Sequence, residues 1–231
     1  MSLIVRPDDL VVEFLRSKLT DVRSRHVTES ESFVATAGQT VFVVTPSESR
    51  LLRCVNSVIV DGVSLKKWRD YSIDLARKKV ILVVGAGVGD EVVISFKGSA
   101  SGDEWIFPDM PVSSLGASKF PRLSVMIVDV SSVRGGGHAS DLIDRVHFQV
   151  DVWVKDNFVF TLDEHKFSKQ ELADYLGFMV KKAFAEGEDD LYPRLYDYEG
   201  MVFGSFPFDD VTQTYRHKQE FLLSGENLGE Y

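Results

Sequence analysis

Two hydrophobic periods alternate along the chain, and each change of period marks a structural part. Near the start, Val11, Phe14, Leu15, Leu19 and Val22 recur at three- and four-residue spacing, the stripe of an amphipathic helix. Pro7 suits the first helical position, and Asp8 and Asp9 complement the positive end of that helix. From Phe33 to Phe96 the period falls to two or gives way to short apolar runs: Phe33 to Val44, Val58 to Val60, Asp70 to Asp74, Val80 to Val84 and Val92 to Phe96. Pro46, Asp61-Gly62 and Gly85-Ala86-Gly87-Val88-Gly89 separate them, so five or six strands of a small all-β sandwich or barrel are predicted. The polar stretch His26 to Ser32 and the small-residue stretch Lys97 to Asp103 read as linkers. Residues 29–102 are therefore an insertion, and residues 1–28 and 103–231 form a second, discontinuous domain.

In that second domain, Trp105 to Pro111 holds two prolines and reads as irregular. Leu123 to Val130 is apolar on both faces, as suits a central strand. Arg145 to Val154 alternates: Val146, Phe148, Val150, Val152 and Val154 form one face, and Arg145, His147, Gln149, Asp151 and Trp153 form a mostly polar face expected to be exposed. Between those strands, Arg134-Gly135-Gly136-Gly137-His138 reads as a flexible projection. Phe167-Ser168-Lys169-Gln170-Glu171-Leu172 has the form of a capping box with a hydrophobic staple, opening a helix that stops at Gly187. Strands Met201 to Phe206 and Thr212 to Leu223 follow. The order predicts an α+β fold: an antiparallel sheet with two helices on one face, plus the inserted β module.

Composition bounds function more than it defines it. A chain of 231 residues with 44% hydrophobic content buries one full core and a second small one. Its longest apolar runs are strand-sized and Met1 to Arg6 lacks a secretory pattern, so a soluble protein made in the cytoplasm, with no membrane partner, is expected. Cys54, among Leu51, Leu52 and Val55, reads as a buried small apolar residue. Residues 156–231 hold 16 of the 35 acidic side chains and 7 of the 26 basic ones, so they carry the whole net charge of -9. Such a surface repels a phosphate backbone.

Chemistry-bearing patterns are weak. His26, His138, His147, His165 and His217 share no metal-ligand spacing. Gly85 to Gly89 follows a strand but leads into Asp90-Glu91 and another strand, which disfavours phosphate. Gly204-Ser205 lacks the second glycine of a nucleophile elbow, and the pairs Asp189-Asp190 and Asp209-Asp210 fall in predicted turns. The cluster Lys66-Lys67-Trp68-Arg69 is answered by Asp70 and Asp74. No catalytic, cofactor-binding or metal-binding residue is predicted, and the chain is not read as an enzyme. Trp105, Phe107, Phe158, Phe160, Phe203, Phe206 and Phe208, near element ends, are read as interface anchors or inter-domain packing.

The order of strands and Gly/Asp turns from Phe33 to Phe96 resembles a β module recurrent in phage tail-fibre and virion proteins. The remainder resembles the tail terminator family of long-tailed phages in three places. These are the opening Val5 to Leu15, the segment Phe120-Pro121-Arg122-Leu123-Ser124-Val125 entering the central strand, and the strand Val146 to Val154 followed by a late helix and two strands. The resemblance implies a structural virion protein of the neck, assembled in the host cytoplasm. Identical subunits would form a homohexameric ring that caps the tail tube protein, stops its polymerisation and joins a head-side connector or stopper protein, with DNA passing the lumen unbound. The candidate interface is Arg134, Gly135, Gly136, Gly137 and His138 together with Arg145, His147, Gln149, Asp151 and Trp153. Two rivals stand beside it: a fibre-like accessory whose β module binds a receptor or glycan, and a hydrolase built on Asp and His.

Overall fold

The predicted first helix is α1 (Pro7–Lys18), which stops before Leu19 and Val22 of the predicted stripe, with Asp8 and Asp9 in its first turn and Arg16 and Lys18 in its last. The computed structural model describes residues 6–111, 115–134, 142–155, 158–162, 164–191, 194–209 and 213–226. The chain divides into two units, Arg16–Glu104 and the pair of segments Met1–Leu15 and Trp105–Tyr231.

The first of these units is a β sandwich. Its strands are β1 (Val27–Val34), β2 (Gln39–Val43), β3 (Leu51–Val60), β4 (Val63–Ser64), β5 (Tyr71–Asp74), β6 (Lys79–Ala86) and β7 (Glu91–Ser99). They form one sheet in the order β1-β7-β3-β4 and another in the order β2-β6-β5. Phe42, Val58, Tyr71, Val80, Ile94 and Phe96 belong to one core cluster, and burial of each such side chain contributes about 1.5–3 kcal/mol. Cys54 is buried, as its apolar neighbours predict.

Both stretches read as linkers are structured. Val27–Val34 pairs with β7 from Val27↔Gly98 to Val34↔Glu91. Its polar residues have work to do: the Glu29 carboxylate accepts a hydrogen bond from the Ser47 amide at 2.8 Å, and Glu31 from the Thr45 amide at 2.7 Å. At the other boundary, Lys97 is buried and donates to the carbonyls of Arg16 (2.6 Å), Ser17 (3.2 Å) and Leu19 (2.8 Å). These carbonyls close α1, whose last turn leaves them without helical partners. The two units divide at Leu15/Arg16 and at Glu104/Trp105.

The second unit is α+β. Its strands are β8 (Ile106–Phe107), β9 (Arg122–Arg134), β10 (Leu142–Lys155), β11 (Val159–Leu162) and β12 (His165–Ser168), then α2 (Lys169–Gly187), β13 (Leu195–Asp209) and β14 (Thr214–Glu226). Five strands make a sheet in the order β13-β14-β10-β9-β8, antiparallel except for the short β8 beside β9. β11 and β12 form a separate hairpin. Val146, Phe148, Val150, Val152 and Val154 are all buried, on the face met by Leu172, Leu176, Val180 and Phe184 of α2. Phe184 is the hub, with its ring 5.1 Å from Phe14 and 4.3 Å from Phe221.

The approach of α2 to the sheet depends on Gly177. A Cβ at that position would come within 2.3 Å of the His217 ring, and the Gln219 side chain donates to the Gly177 carbonyl. At the start of α2, Glu171 lies 2.7 Å from His165 Nε2, and the Phe167 ring packs tilted against Tyr175 at 4.6 Å. β13 continues through Pro207, where sequence patterning ends a strand. It is the outermost strand, with register shifts at Tyr196/Glu199, Gly200/Val202 and Phe206/Asp209; edge position and bulges are where a strand tolerates a residue without an N–H.

Candidate functional site: the polar face of the five-stranded sheet

The face of β10 opposite α2 carries the alternating polar set, and the expectation that it is exposed needs correction. Arg145 is exposed and His147 half-buried, but Gln149 and Trp153 are buried and Asp151 is 0% exposed. The reason is cross-strand. Asp151 stands opposite Ser124 on β9 and Lys218 on β14, and Trp153 stands opposite Arg122 and Arg216. β10 is central, and from β14 the Arg216 guanidinium lies over Trp153 and pairs with Asp151.

Asp151 organises this face. One carboxylate oxygen accepts hydrogen bonds from Arg216 and from the Gln149 amide, each at 2.7 Å. The Arg216 guanidinium covers the Trp153 ring at 4.9 Å and the Phe206 ring at 5.2 Å. On the other side, Arg122 lies 3.8 Å over Phe107 and pairs with the Asp109 carboxylate. Burial lowers the Arg122 pKa, an effect that Asp109 opposes. Further along, Glu220 pairs with Lys218, and His147 lies 3.3 Å from Glu220. The hydrogen bond from Lys218 holds the Glu220 carboxyl below its ordinary pKa.

Not all of this polarity is satisfied internally. Asp151 Oδ1, Ser124 Oγ, Trp153 Nε1, Arg122 Nε and Arg216 Nε are buried with no hydrogen-bond partner among the described residues. Buried polar atoms of this kind are normally paired. The face is thus a ladder of charge pairs and aromatic planks in which several buried polar atoms are left unsatisfied.

Of the other predicted interface residues, Arg134 ends β9, while Gly135, Gly136, Gly137 and His138 lie outside the described residues. Among the described residues, the structure brings together the β10 set, and it adds Arg122, Phe206 and Arg216. The signal for Arg216 was present as the alternation Arg216, Lys218, Glu220; the register that puts it beside Asp151 was not. The aromatic set divides. Trp105 is fully buried, whereas Phe203 and Phe206 remain exposed on β13.

Three further groupings bear on chemistry. Asp174, His217 and Ser205 are in mutual contact, but His217 meets both partners through Nδ1, at 2.9 Å from Asp174 and 3.4 Å from Ser205. The Cδ2–Nε2 edge of the ring packs against Gly177. A serine relay needs the hydroxyl and the carboxylate on opposite ring nitrogens, so this trio is a structural tie between α2 and the sheet. In the sandwich, Glu104 is buried with Arg16 at 3.2 Å, Arg53 at 3.1 Å and His26 at 2.9 Å. A cavity of about 370 Å³ lies between Val60, Leu65, Leu82, Val83 and Val84, with the Arg69–Asp70 pair at its lip.

Among the described residues, no group of three or more His, Cys, Asp or Glu is arranged to hold a metal ion. None of the described helices is long and apolar enough to cross a membrane. No family model matches the chain, and no curated protein matches its sequence.

Proposed function

We propose that the chain is a structural virion protein, a ring-forming tail terminator that caps the tail tube, stops its polymerisation and joins the tail to a head-side connector. The observation that carries this reading is the five-stranded sheet. One face is met by α2, and the other carries a charge-paired ladder from Arg122 to Glu220. Polar faces with aromatic planks and buried arginines fit protein partners better than small substrates. The acidic excess of residues 156–231 fits a lumen past which DNA moves without adhering. Light scattering and negative-stain microscopy of the purified protein test it directly. A ring with a central hole is expected, and a trimeric stalk sinks the reading.

A second reading, a receptor- or glycan-binding accessory, is favoured by one observation. The 370 Å³ cavity is lined by Val60 and Asp90, beside the Val34↔Glu91 end of β1 and β7, while the chain enters and leaves the sandwich at the Val27↔Gly98 end. Titrating glycans into the full chain, with methyl shifts of Val83 and Val84 as the readout, decides it. Unmoved methyls at saturating glycan eliminate this alternative.

A further inference from the structure

We infer that the five-stranded sheet continues from one copy of this chain into the next, the β13 edge of one copy pairing with the open β9 edge of its neighbour. Both edges have room. β13 is fifteen residues long, pairs on one side with β14 through three register shifts, and has no strand partner on the other side among the described residues. On β9, the two-residue β8 pairs only with Leu123 and Ser124, so the stretch from Val125 to Arg134 has no strand on its outer side among the described residues. Unpaired edges of this length are templates for strand addition. Both carry exposed apolar side chains: Val128 is 50% exposed on β9, and Phe203 and Phe206 are 39% and 40% exposed on β13. Phe178 of α2 is 60% exposed, and Lys181, one turn on, lies over the Phe203 ring.

Strand direction selects the head-to-tail arrangement. β13 is antiparallel to β14, β14 to β10 and β10 to β9, so β13 and β9 run in opposite directions. Rotation about an axis along the strands preserves strand direction. A neighbour generated by that rotation therefore presents its β13 antiparallel to the first copy's β9, and successive joints close into a ring. A two-fold β13–β13 pair would leave the β9 edge and Val128 uncovered. The inference rests on the ring reading for closure, whereas the edge pairing stands on the sheet alone.

Two single variants and their mixture test it. Val128→Glu blocks the β9 edge and Phe203→Lys blocks the β13 edge, each at an exposed position where the fold is preserved, as circular dichroism checks. In light scattering up to millimolar protein, the unaltered chain is expected to form closed oligomers and each variant alone to remain monomeric. An equimolar mixture is expected to stop at a heterodimer, since only one joint has two intact edges. A chain that stays monomeric at millimolar concentration, or a Val128→Glu variant that assembles normally, overturns the inference. So does a dimer sensitive only to Phe203→Lys, which marks the two-fold pair. Rings that persist in both variants refute the edge pairing and spare the ring reading. Edge-dependent rings from a protein without which tails still terminate at normal length do the reverse.

Discussion

Asp151 and Arg216 form an ion pair whose two halves differ in access to water, and this yields an asymmetric prediction. The Asp151 side chain is 0% exposed, whereas that of Arg216 is 23% exposed. Removing the guanidinium leaves a carboxylate in the sheet with the Gln149 amide as its remaining donor. A buried charge stranded in this way costs about 3–5 kcal/mol. Removing the carboxylate instead leaves a guanidinium already stacked on Trp153 and Phe206 and able to turn its charged end toward solvent. That loss should be about 1–3 kcal/mol, the cost of an unmade hydrogen bond to a charged group. Lys218 stands opposite Asp151 and could replace the lost cation, so the comparison belongs in a Lys218→Ala background. Urea unfolding followed by intrinsic fluorescence measures Arg216→Leu, Asp151→Ala and the double variant. Arg216→Leu should be the more destabilising by at least about 1 kcal/mol, and the double variant should cost less than the sum of the singles. Equal losses, or a larger loss for Asp151→Ala, refute the unequal access of the two partners to water.

Other tests address other levels of the molecule. Glu104→Gln should destabilise the sandwich by about 3–5 kcal/mol at neutral pH, because Arg16 and Arg53 then face each other without a carboxylate. Burial alone would raise the Glu104 pKa, but the His26 hydrogen bond and the two arginines outweigh it and lower the value. A depressed carboxyl stabilises above its unfolded pKa and loses that contribution as pH falls through the folded one. The gap between the unaltered chain and Glu104→Gln, followed by thermal unfolding, should therefore narrow only below the ordinary carboxylate range. Gly177→Ala should destabilise by about 1–3 kcal/mol in denaturant titration, although alanine favours helix by about 1 kcal/mol, because its Cβ would strike His217. Deleting residues 134–138 should impair head joining or tail-length control in an assembly assay; unchanged joining and normal length would remove that segment from the proposed interface.

Where periodicity was strong and local, the chain specified its own elements. α1 follows from Pro7, Asp8, Asp9 and its apolar stripe, α2 ends at Gly187, and the strand at Val146 to Val154 lies within β10 with its valines inward. Alternating sequence assigns the faces of a strand because side-chain direction has a period of two. Pairing between distant strands is not encoded in that period. It decided that Val27 to Ser32, polar enough to read as a linker, is a strand held by β7, and that Glu29 and Glu31 serve loop amides. It also buried Asp151 and Trp153, since a polar residue on a central strand is covered when neighbours 65 positions away lay an arginine over it. The exposed phenylalanines of β13 and the incomplete cover of β9 have the same origin. Sequence determined which residues are apolar and in what rhythm; only the assembled sheet decided which edges were left open.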